Sequence, residues 1–74
     1  MEDLFWTTLS IDGKQEEYHI IFENEAYCFI PKDSSEAKYR FRREHDEWHS
    51  VDETSEGVKD DAVDALEKYL LQQH

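Results

Sequence analysis

Four of the eight basic residues fall in one run, Lys38-Tyr39-Arg40-Phe41-Arg42-Arg43. Interleaved cations and aromatics can bind single-stranded nucleic acid, the cations pairing with phosphates and the rings stacking on bases. The spacing argues against that use here. Alternate side chains of a strand point to opposite sides, so Tyr39 and Phe41 leave on one side and Lys38, Arg40 and Arg42 on the other. The chain also carries a formal net charge of −11, which opposes binding to phosphates. The stripe Lys38, Arg40 and Arg42 reads first as outward cations that neutralise carboxylates across strands. Binding of a ligand or of single-stranded nucleic acid on it is the alternative.

The other chemistry-bearing residues fall short of a site. His45 and His49 stand four apart with Asp46 and Glu47 between them. On a helix that spacing aims two imidazoles at one metal, but this segment reads as a turn entering a strand, and a metal needs three or four converging ligands. A Ser/His/Asp set can be picked from Ser34, Ser50, His49 and Asp52, yet no nucleophile elbow frames it. Gly13 and Gly57 are the only glycines, too few for a phosphate-cradling loop. Cys28 is the single cysteine. It lies in the apolar run Tyr27-Cys28-Phe29-Ile30 and reads as a small buried hydrophobe rather than a reactive thiol. We therefore expect no catalytic residue, no cofactor and no metal, and a chain that is not an enzyme.

The elements follow from hydrophobic rhythm. From Leu4 to Val51 apolar residues alternate or come in short runs; from Val58 to Leu71 they recur at helical spacing. Strands are predicted at about 4–11, 15–22, 26–30, 37–43 and 48–51, with one helix at about 56–72. Asp12-Gly13, between two strand-like runs, is the strongest short-range hairpin signal, because both turn residues need φ > 0. Glu23-Asn24-Glu25 makes the next turn. Pro31 is expected to end the third strand, since proline cannot donate to a ladder. Arg43 to Glu47 reverses the chain before the fifth strand. Thr54 or Ser55 is the expected helix N-cap. On a helical wheel Val58, Ala62, Val63, Ala65, Leu66, Tyr69 and Leu70 fall within roughly 160°, with Asp60, Asp61, Asp64, Glu67 and Lys68 opposite.

These elements make an α+β domain spanning 1–74, an antiparallel four- or five-stranded β-meander with the C-terminal helix packed on one face. The runner-up is a curled half-barrel with the helix over its open end. With 36% charged residues but ten aromatics in patterned segments, the chain should fold rather than remain disordered. No apolar run approaches the roughly 18 residues that span a membrane, and no signal peptide is evident. A cytoplasmic setting is the simplest expectation, consistent with one unpaired cysteine.

One helix covers one face, yet large apolar residues occupy both alternation sets. Phe5, Leu9, Tyr18, Ile20, Phe22, Tyr39 and Phe41 can fill the covered face. Trp6 and Ile21 are left for the other, together with either Tyr27 and Phe29 or Ala26, Cys28 and Ile30 from the third strand. An exposed apolar patch rimmed by charge marks an interaction surface. The candidate surface is Trp6, Ile21, Tyr27 and Phe29. The expected function is a small acidic protein-interaction module, homodimeric through the uncovered sheet face or docking another protein there, with nucleic acid disfavoured and no membrane.

Overall fold

The computed structural model describes residues 2–33 and 38–72. The chain runs β1 (Glu2–Ile11), β2 (Lys14–Glu23), β3 (Ala26–Pro31), β4 (Tyr39–Glu44), β5 (Glu47–Ser50) and α1 (Glu56–Gln72). The strands form one antiparallel sheet in the order β1-β2-β3-β4-β5, so the fold is an α+β meander closed by a C-terminal helix. Ser34 and Ala37, which carry part of the sequence reading, lie outside the described residues.

Three hairpins are closed by two-residue turns in which both residues have positive φ: Asp12 (51°) and Gly13 (80°), Asn24 (53°) and Glu25 (62°), and His45 (51°) and Asp46 (65°). Turns of this hand match the natural twist of the flanking strands. They are short, and they set the register within the β1–β2, β2–β3 and β4–β5 pairs. Two small departures from the sequence reading follow from local pairing. Pairing does not stop at Pro31: Pro31 stays in β3, and the Lys32 N–H reaches the Glu17 carbonyl at 3.0 Å. Conversely, Val51 lies outside β5, although its N–H still bonds the Arg40 carbonyl at 2.9 Å.

The core sits between one sheet face and α1. Leu9, Tyr18, Ile20, Phe29 and Phe41 supply the sheet side; Val58, Ala62 and Leu66 supply the helix side. Their spacing of four puts the three helix residues on one stripe. Val63, Ala65, Tyr69 and Leu70 flank it half-buried, while Asp60, Asp61, Asp64, Glu67 and Lys68 are exposed. Phe29 meets Phe41 edge-on at 5.5 Å, a favoured arrangement for aromatic quadrupoles. Near the helix C-terminus Tyr69 stacks on Phe5 at 4.5 Å, which fixes α1 over β1. At the start of α1 the Ser55 hydroxyl accepts the Val58 N–H at 3.4 Å, satisfying one of the free first-turn donors. Thr54 instead donates its hydroxyl to the Asp52 carbonyl at 3.1 Å. No helix among the described residues is long and apolar enough to cross a membrane.

Candidate functional site

The side of the sheet away from α1 is built by the register. Trp6 pairs with His19 across β1 and β2, and Ile21 pairs with Cys28 across β2 and β3. Cys28 in turn pairs with Arg40 on β4. The Trp6 and His19 rings stack at 4.7 Å and 8°, and His19 Nε2 lies 3.3 Å from an Asp3 carboxylate oxygen. Trp6 remains 58% exposed, the largest side chain in contact with solvent on this side.

Tyr27 and Phe29 do not belong to this surface, and the candidate set Trp6, Ile21, Tyr27, Phe29 is corrected there. Phe29 is fully buried in the helix-side core and Tyr27 packs against that core, where it meets Phe22 at 5.0 Å and Trp48 at 5.5 Å. The cause is the length of one turn. A three-residue turn at 23–25 would pair Phe22 with Ala26 and send Tyr27 to the side of Ile21. The observed two-residue turn Asn24-Glu25 pairs Glu23 with Ala26 and Phe22 with Tyr27. A slip of one residue exchanges the faces of an entire strand. Ala26, Cys28 and Ile30 therefore occupy the uncovered side with Ile21.

Ile21, Ala26 and Cys28 form a second, smaller cluster with Ile30 against it. Each of the three is nearly buried although no helix covers them. Beside them lies a depression of about 370 Å³ lined by Ile21, Cys28, Ile30, Lys38, Arg40 and Asp52. The Cys28 thiol donates to the Ala26 carbonyl at 3.8 Å. Burial pushes that thiol above its ordinary value, and the nearby Glu23 carboxylate adds to the rise. It is the opposite of an activated cysteine.

The basic stripe lies on the same uncovered side. Arg40 grips Asp52 with two hydrogen bonds, Nε at 2.9 Å and an NH₂ nitrogen at 2.8 Å. This fork holds the Asp52 carboxyl below the usual carboxylate range and Arg40 above its own ordinary value. Arg42 reaches Glu44 at 4.0 Å. Lys38 is exposed. The three residues lie near one another, and Arg40, the central cation, is engaged internally by Asp52. His45 lies in a turn, and His49 Nε2 stands 3.8 Å from a Glu47 carboxylate oxygen. Among the described residues no three His, Cys, Asp or Glu side chains converge on one point.

Two partners escaped the sequence reading. His19 under Trp6 was legible in principle, because a two-residue turn at 12–13 sets residue 19 opposite residue 6. Asp52 carried no local signal, since it meets Arg40 twelve positions away through the turn of β5. A further contact ties α1 to the far edge: the Trp48 indole N–H donates to Glu67 at 3.3 Å, with Arg43 over the Trp48 ring at 5.7 Å.

Compared with protein-family models, with curated proteins and with solved structures, the chain matches none.

Proposed function

We propose that this protein is a non-catalytic protein-interaction module that self-associates through the uncovered side of its sheet, at the β1 end. The observation that supports this reading is Trp6. It is 58% exposed, held flat by His19, and set in a segment, Leu4 to Ile11, that contains no charged residue. Tryptophan is enriched among the residues that anchor interfaces, and a ring already ordered by stacking loses little further freedom on binding. The uncharged run from Leu4 to Ile11 adds no charge of its own to the repulsion expected from a net charge of −11. The basic stripe offers less to a polyanion, because Arg40 is committed to Asp52. A cytoplasmic setting suits the module, since reducing conditions keep its lone thiol free.

Sedimentation at low and moderate salt tests the proposal. Wild type is expected to dimerise, more tightly at moderate salt as repulsion between acidic copies is screened. Trp6→Glu is expected to be a folded monomer, with unchanged far-ultraviolet circular dichroism. A wild type that stays monomeric at high concentration in both buffers overturns the reading.

A further inference from the structure

We infer that the second copy joins at the free edge of β1, by antiparallel strand addition that continues the sheet from one subunit into the other. This rests on the self-association proposed above and specifies its geometry.

The two edges of the sheet are treated differently. β5, at one edge, has four residues and begins beside the charged turn His45-Asp46 and Glu47. Shortness and charge are the usual protections of an edge. β1, at the other edge, has ten residues, pairs on one side only among the described residues, and from Leu4 to Ile11 has neither charge nor proline. Its one irregularity, a bulge between Asp3 and Phe5, lies near its start and leaves the rest regular.

The register says which backbone groups are free. Asp12 and Gly13 close a two-residue hairpin, so the flanking pair Ile11 and Lys14 exchanges both hydrogen bonds. Bonded and non-bonded pairs alternate along an antiparallel ladder. Thr7 and Tyr18 are therefore a bonded pair, whereas Trp6, Thr8 and Ser10 turn their N–H and C=O groups outward. A two-fold axis through Thr8 matches these three residues with themselves. Thr8 meets Thr8 of the partner subunit, and Trp6 meets Ser10 of the partner subunit on the uncovered side.

The flank of α1 is compatible with such a neighbour. Thr7, Thr8 and Ser10 share a surface depression of about 350 Å³ with Asp61, Asp64, Ala65 and Lys68. The same axis runs the two helices antiparallel and brings this flank, on which Lys68 already pairs with Asp64 at 3.0 Å, beside its copy, so added salt should favour the contact.

The test is sedimentation of the full chain with Thr8→Pro. Proline here removes an outward N–H and leaves the ladder with β2 intact, the one strand setting that proline tolerates. Thr8→Pro is expected to weaken the dimer by about tenfold or more, the loss of a backbone hydrogen bond in each copy. A Thr8→Pro protein that dimerises as well as wild type overturns the edge geometry and leaves self-association through the face standing. A monomeric wild type overturns both. Hydrogen exchange on wild type gives a measure that does not depend on the variant folding. The amides of Trp6, Thr8 and Ser10 should exchange slowly at concentrations where the dimer forms and fast on dilution. Fast exchange of all three in a sample that sediments as twice 8.9 kDa overturns the inference.

Discussion

At the scale of single residues, the turns are where conformation and residue type disagree most. Gly13 adopts φ +80° at no steric cost, and a Cβ there would meet nothing within 4 Å, so the conformation alone selects glycine. Glu25 holds φ +62° with a side chain that disfavours it. The two positions should respond oppositely. Gly13→Val is expected to cost about 1–3 kcal/mol. Glu25→Gly is expected to stabilise by about 0.5–1 kcal/mol as the left-handed strain is relieved. Thermal melts of the two variants check this, and a lower melting temperature for Glu25→Gly would contradict the geometry of that turn. Cys28 gives a second residue-scale expectation. It is only 6% exposed and its thiol is raised by burial. Alkylation at neutral pH should therefore be slow in the native protein and fast in denaturant. Equal rates in the two conditions would place the thiol at the surface.

At the scale of elements, α1 is held by a narrow stripe. Val58, Ala62 and Leu66 are buried while the carboxylates of the same helix stay in water. Leu66 is fully buried, so Leu66→Ala removes packed methyl groups and leaves a cavity, at a cost of about 2–5 kcal/mol. That is a large share of the stability of so small a domain. Asp64 is exposed and pairs with Lys68 at 3.0 Å. Asp64→Ala should change stability by no more than about 0.5 kcal/mol, since exposed ion pairs on helices contribute little. Denaturant unfolding compares the two, and similar midpoints would mean that the stripe is misplaced. The uncovered face shows a different economy. Ile21, Ala26 and Cys28 form a small buried cluster there, apart from the core under α1.

At the scale of the whole molecule, electrostatics set the response to pH. Asp52 is held ionised by Arg40, so its carboxyl titrates lower in the folded chain than in the unfolded one. Such a group contributes stability above its unfolded value, near pH 4, and the contribution is lost as pH falls through its lower folded value. Acid unfolding of Asp52→Asn should therefore be less steep than that of wild type below about pH 4. A variant whose acid transition has the wild-type slope would show that the fork does not persist in solution. The fork is half exposed, so its effect on stability at neutral pH should be small beside the packing of the core.

Several parts of this architecture are legible in the residues alone. Asp12-Gly13 determines the first hairpin and, through its two-residue length, the stacking of Trp6 on His19. The alternation of Tyr39 and Phe41 with Lys38, Arg40 and Arg42 assigns both faces of β4. The helical spacing from Val58 to Leu66 determines α1 and its buried stripe. The third strand was not decided this way. Ala26 to Ile30 is apolar in both alternation sets, so periodicity could not say which half meets the helix. The answer depended on whether the second turn held two residues or three, and a glutamate at positive φ gives no local signal for the shorter one. Only the folded sheet, in which Phe29 packs on Phe41 and Tyr18, selects the register that sends Tyr27 and Phe29 inward and Ile21, Cys28 and Ile30 outward. The engagement of Arg40 by Asp52 and the bare edge at β1 are likewise tertiary facts. Local sequence specifies strands and turns, but which cation finds a partner and which edge stays open depend on residues brought together from distant parts of the chain.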